Sequence, residues 1–245
     1  MRLVNQVEKK KQYECLIFDA DHTLLNYIED ENSAFTRTYA RIGMETTDSL
    51  LKDSRFFSEE TWTEAGLYDV DKPSVQDTYH AVYRSHVTGI FEKVFKKYGA
   101  PISVSAKETG KIFLKELEKG GATLGEALET VQTLAQRYDI CIATNGLVDI
   151  QKGRLSAFEK CAKIYVSEAV GHIKPLPAFF EKILADTGYA SEKCLMIGDS
   201  LRSDIYGAKS VGMDGCWFNP ERRENTTDIQ PDYAIEKIEE LYNIL

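Results

Sequence analysis

Two aspartates one residue apart, Asp19 and Asp21 in Asp19-Ala20-Asp21-His22-Thr23, stand directly after a short apolar run. Thr144-Asn145-Gly146 and Gly198-Asp199-Ser200 close two other such runs, Lys174-Pro175 precedes a long helical period, and Asp204 lies five positions beyond Asp199. Each alone has a structural reading: Asp21 or Asp204 as a helix cap, Thr144-Asn145-Gly146 as a turn, Pro175 as a helix start. Gathered at one edge they read differently. Four carboxylates repel one another, and burying them uncompensated costs on the order of several kcal/mol, which a divalent cation and Lys174 would offset. Oxygen-only ligands favour Mg²⁺ over zinc. A hard cation, a lysine, a threonine hydroxyl and exposed backbone N–H groups together suit a phosphoryl group.

Parallel strands ending at a common edge would bring these residues together. Cys15-Leu16-Ile17-Phe18 is too short for a helix and reads as a buried strand, as do the blocks 140–143, 164–166 and 194–197, with 216–218 a fifth. Helical periods lie between them. Leu124, Ala127, Leu128, Val131, Leu134 and Ala135 share one helical face, and Leu176, Phe179, Phe180, Ile183 and Leu184 another, before a stop at Gly188. Ser203 to Val211 predicts a shorter helix ended by Gly212, Glu221 to Asp232 a polar loop, and Tyr233 to Leu245 a closing strand and helix. Alternating strand and helix from Gly121 onward implies crossover connections and a mainly parallel sheet, which binds ligands at its carboxyl edge.

The rhythm lapses between the first strand and the second. From Tyr27 to Lys119 roughly 90 residues read as helical throughout, too many for an ordinary connection. Ala34, Phe35, Thr38, Tyr39 and Ile42 form one amphipathic face, and Ile90, Phe91, Val94, Phe95 and Tyr98 a second. The stretch is read as an inserted helical domain whose exit, Gly120-Gly121, is a candidate hinge. Its aromatic residues, among them Trp62, Tyr79 and Tyr83, are assigned to core packing, and His80 and His86 to the surface, six positions apart on different helical faces.

Composition narrows the function. The 245 residues carry 30 Lys and Arg against 39 Asp and Glu, a net charge of −9 that argues against nucleic acid or an anionic membrane as partner. No apolar stretch approaches the roughly 18 residues of a membrane span. The amino-terminal dozen is charged where a signal peptide needs an apolar core, so a cytoplasmic protein is expected. Five cysteines without a C-x-x-C spacing read as buried thiols. Lys9-Lys10-Lys11 reads as a solvated lead-in to the first strand, and Arg202, Arg222 and Arg223 as solvated charge.

In order along the chain, D-x-D-x-T at Asp19 to Thr23, then Thr144, Lys174-Pro175 and G-D-S-x-x-x-D at Gly198 to Asp204 resemble the four motifs of the haloacid dehalogenase superfamily. The resemblance implies an α/β fold, a Rossmann-like three-layer core with a mainly parallel sheet, plus an inserted all-helical cap. Residues 1–26 and 120–245 would form the catalytic core and 27–119 the cap. It implies Asp19 as nucleophile and Asp21 as acid and base. Mg²⁺ would be held by Asp19, the Asp21 main-chain carbonyl and Asp199, with Asp204 acting through water or as a positioning group. Thr144, the Asn145 N–H and Lys174 would hold the phosphoryl oxygens of a small-molecule phosphomonoester. The dehalogenase branch lacks a carboxylate at the Asp21 position, so a phosphatase is favoured, most like the pyrimidine 5′-nucleotidase branch acting on a nucleoside monophosphate. His22 departs from the acidic residue often found there. The alternatives are a 2-haloacid dehalogenase, a phosphomutase and a non-catalytic phospho-acceptor module of the signalling type.

Overall fold

The computed structural model describes residues 12–101 and 104–245; Lys9-Lys10-Lys11 lies outside them. Six strands, β1 (Cys15–Phe18), β2 (Asp139–Thr144), β3 (Lys163–Val166), β4 (Cys194–Gly198), β5 (Asp214–Phe218) and β6 (Tyr233–Ile235), form one sheet in the order β3-β2-β1-β4-β5-β6. Every neighbouring pair is parallel.

All four residues of β1 are buried because both faces of the sheet are covered. Leu16 and Phe18 point to the side where Val131 and Leu134 of α5 (Ala127–Leu134) pack, together with Leu241. Cys15 and Ile17 point to the other side, onto Phe179, Phe180 and Ile183 of the helix Pro177–Thr187. The two-residue alternation of a strand thus separates one apolar run into two cores. β2, the next strand in the chain, and β4 flank β1 on opposite sides, so the direction of strand order reverses at β1 and opens a crevice at its carboxyl end.

Between β1 and α5 the chain forms α1 (Tyr27–Ile42), α2 (Asp48–Glu64), α3 (Pro73–Tyr98) and α4 (Ala106–Leu117). They share a third hydrophobic cluster built on Phe35, Tyr39, Ile90, Phe91, Val94 and Phe113. Local signals match: Asn26 caps α1, accepting from the Glu29 N–H, and Ser105 and Glu108 form a reciprocal capping box on α4. The cluster also takes in Leu147, Ile150 and Ile173, so this unit packs against the sheet's carboxyl edge. His86 departs from its expected surface position. It is buried among Trp62 and Tyr83, with Nδ1 2.7 Å from the Tyr83 carbonyl oxygen, because α3 is packed by both α2 and α4. No helix among the described residues is long and apolar enough to cross a membrane.

Candidate active site

The residue after β1, Asp19, extends the ladder by donating its N–H to the Ile197 carbonyl (2.8 Å), and the chain then turns sharply. Ala20 accepts N–H groups from Thr23, Leu24 and Leu25, with His22 in the left-handed region (φ 63°). None of the hydrogen bonds closing this turn ends on the Asp21 carbonyl. Buried Thr23 accepts the Asp199 N–H at 3.1 Å, which joins the loop after β1 to the loop after β4.

Lys174 comes from the far side of β2. Asn145 holds its backbone at both ends, accepting the Lys174 N–H (2.8 Å) and donating Nδ2 to the Lys174 carbonyl (2.9 Å); the Lys174-Pro175 peptide is cis. Lys174 is 2 % exposed, with Nζ 2.6 Å from Asp19 Oδ1 and 2.7 Å from Asp204 Oδ1. The other Asp204 oxygen accepts the Ser200 N–H at 3.0 Å. This close approach needs a glycine in β4, since a Cβ on Gly198 would lie 2.3 Å from Asp204 Oδ2. Asp204 itself sits in a π-helical turn, Leu201–Tyr206.

Asp19, Asp199 and Asp204 each offer a carboxylate oxygen, and the three atoms lie within 4.8 Å of one another. Burial, with Asp204 alongside, pushes the Asp19 carboxyl up to about 7, although Lys174 pulls it down. Burial and the nearby Asp19 push Asp199 up to about 6, and burial also raises Asp204. Burial pulls Lys174 down, but Asp19 and Asp204 outweigh it and leave the ammonium above its ordinary value. Three carboxylates face the Lys174 ammonium and, at the solvent edge, the Arg223 guanidinium 3.7 Å from Asp199 Oδ2, which leaves a formal excess of one negative charge (−3 + 2 = −1). That excess and the all-oxygen donor set fit a hard divalent cation.

Thus Asp19, Lys174, Asp199 and Asp204 converge. Asp21 turns aside. Its carboxylate faces α6 (Val148–Arg154), with Oδ2 accepting Gln151 Nε2 at 2.9 Å and Oδ1 2.6 Å from Arg154 Nη1. Gln151 also donates to the Thr144 hydroxyl oxygen at 2.7 Å, so Thr144 joins the group through it. Neither Gln151 nor Arg154 was legible as functional in the sequence; their one trace is a spacing of three, which puts both on one helical face. Arg223 also departs from pure solvation: half exposed, it donates Nη2 to the Asp199 carbonyl at 3.1 Å. Arg202 and Arg222 pair with Asp71 and Glu236 on the surface, as solvated charge should.

A family model for the haloacid dehalogenase-like hydrolases matches residues 13–212. The chain belongs to this family. Among haloacid dehalogenase-like hydrolases it is 31% identical over 243 residues to the pyrimidine 5′-nucleotidase PynA of Streptococcus pneumoniae, covering 95% of each chain. It is 29% identical over 239 residues to the putative HAD-hydrolase YfnB of Bacillus subtilis, covering 96% of both. The crystal structure of YfnB, bound to magnesium and described as revealing interdomain movement, superposes with a TM-score of 0.80 at 28% identity, over 96% of this chain and 99% of that one. As a haloacid dehalogenase-like hydrolase with nucleotidase relatives along nearly its whole length, the chain is an enzyme, a phosphatase.

Proposed function

We propose that this enzyme hydrolyses small phosphomonoesters, with a nucleoside 5′-monophosphate the preferred substrate, through an aspartyl-phosphate on Asp19. The observation that carries the proposal is the Lys174 ammonium bonded to Asp19 within the Asp19–Asp199–Asp204 cluster. It sets one cation beside the oxygen that would attack and beside the oxygens that would be transferred.

In the first step Asp19 Oδ attacks phosphorus in line with the ester oxygen. The P–O ester bond breaks, its electron pair passes to the departing alkoxide, and Asp21 supplies the proton that makes it an alcohol. In the second step water attacks the aspartyl-phosphate, Asp21 takes the proton, and inorganic phosphate leaves with the Asp19 carboxylate restored. Lys174, the Thr144 hydroxyl and the Asn145 N–H would hold the phosphoryl oxygens. Asp19, the Asp21 carbonyl and Asp199 would hold Mg²⁺, with Asp204, both of whose oxygens are already engaged, as a positioning group. Bound there, the ion would supply positive charge against the negative charge gathered in phosphoryl transfer. Such monoesters hydrolyse so slowly unaided that on the order of 20 kcal/mol must come from charge placement and alignment.

Residues 27–119 are proposed as a cap over a core of 1–26 and 120–245. The presence of Asp21 favours this reading over a dehalogenase, which needs no acid for a halide. A cytoplasmic setting suits the five free cysteines.

The test is a panel of metabolite phosphomonoesters ranked by kcat/KM, run with Mg²⁺ and with EDTA. Phosphate release that stops with EDTA and disappears in a folded Asp19→Asn variant is expected. Undiminished turnover by that variant would sink the proposal.

A further inference from the structure

Among the described residues Arg154 is the largest fully buried side chain, and its charge is divided among specific partners. Nε donates to Asp30 Oδ2 at 2.8 Å, Nη1 donates to Gln151 Oε1 at 3.1 Å and lies 2.6 Å from Asp21 Oδ1, and the Tyr27 ring covers the guanidinium at 5.2 Å. Asp30 in turn accepts the N–H groups of Gly121 and Ala122, at 2.8 and 3.0 Å, where the chain returns from the four-helix unit. Asp21 Oδ1 and Arg154 Nη2 are buried without an aligned hydrogen bond.

Arg154 on one side and Asp21 on the other decide which way the Gln151 amide faces. Turned over, the amide would set its N–H groups against the guanidinium and its oxygen against the Asp21 carboxylate. In the observed sense, the two N–H groups of Nε2 serve Asp21 Oδ2 and Thr144 Oγ1. The Thr144 oxygen is therefore an acceptor toward Gln151, and its single proton is free to point elsewhere.

We propose that Gln151 and Arg154 are positioning residues for phosphoryl transfer: Gln151 aims the Asp21 carboxyl and leaves the Thr144 proton for a phosphoryl oxygen, and Arg154, with Asp21, sets the sense of the Gln151 amide. The inference rests on the reading of Asp21 as the acid and Thr144 as a phosphate ligand. An alkyl ester needs a proton at its leaving oxygen, whereas a nitrophenyl ester, whose phenolate is stable, scarcely does. Misplacing Asp21 penalises the first far more than the second. Loosening Thr144 penalises both alike.

The experiment compares kcat/KM for p-nitrophenyl phosphate and for an alkyl phosphate in wild type, Gln151→Met, Arg154→Lys, Asp21→Asn and Asp19→Asn. Far-UV circular dichroism checks each fold. Gln151→Met should lose at least tenfold more on the alkyl ester than on the aryl ester, and a folded Arg154→Lys should show the same selectivity. While Asp21→Asn is selective, no loss in Gln151→Met overturns the positioning role, and an equal loss on both esters overturns the aiming of Asp21; either result leaves the proposed function intact. If Asp21→Asn is itself unselective, the acid assignment fails and the positioning role falls with it. Full activity in Asp19→Asn removes the nucleophile instead.

Discussion

Lys174 meets Asp19 across 155 positions of sequence, its Nζ 2.6 Å from Oδ1. Removing the ammonium leaves Asp19 and Asp204 buried with no cation between them. Lys174→Met is expected to lose about 3–5 kcal/mol in magnesium-free buffer, together with activity. A fall in the urea midpoint at unchanged m would report it, and an unshifted midpoint would show that Lys174 does not compensate the cluster.

The excess negative charge predicts that Mg²⁺ stabilises the fold. At a hundredfold excess over its dissociation constant, a ligand of the native state adds about 2.7 kcal/mol, roughly 5–10 °C in Tm for a chain of this size. Scanning fluorimetry with Mg²⁺ and with EDTA should show that difference in wild type and its loss in Asp199→Asn. An equal shift in both proteins would place the ion elsewhere.

Glu31 predicts the pH dependence of stability outside the cluster. Burial pushes its carboxyl up to about 7 from an ordinary 4.5, although Ser58 donates to it at 2.7 Å. Between those two values the folded state holds a proton that the unfolded state has released, so stability falls as pH rises from about 4.5 to about 7. Glu31→Gln should therefore be more stable than wild type at pH 8, by roughly 3 kcal/mol, and nearly equal to it near pH 4. Thermal melts at both values check the sign; equal stability at pH 8 would contradict it.

Gly198→Ala is expected to cost about 1–3 kcal/mol, because its methyl group would occupy the place of the Asp204 carboxylate. Asp204 would have to move off Lys174 or Ser200, so the Tm and kcat should both fall. Unchanged kinetics in this variant would mean that the Asp204 position does not matter to turnover.

Much of this arrangement was readable along the chain. Apolar blocks of about four residues could only be strands buried on both faces, and the motif residues at their ends, Asp19, Thr144 and Asp199, had to share an edge once the strands ran parallel. The helical stretch 27–119 was legible from period and length. The stops at Gly188 and Gly212 match the left-handed φ values of 77° and 84° found there. His86, Gln151 and Arg154 were not legible, because a polar residue's burial depends on what packs over it and leaves no mark in local periodicity.

The sequence by itself determined the element order, the parallel sheet and three of the four carboxylates expected in the acidic cluster, since these follow from short-range patterning and from charges that must find compensation. Tertiary structure alone decided that Lys174 bridges Asp19 and Asp204, that Asn145 clamps the Lys174 backbone, and that Asp21 turns to Gln151 and Arg154 on α6. Those choices depend on distances between segments far apart in the chain, and hydrogen-bond and ion-pair partners are selected by such distances and angles, not by residue type.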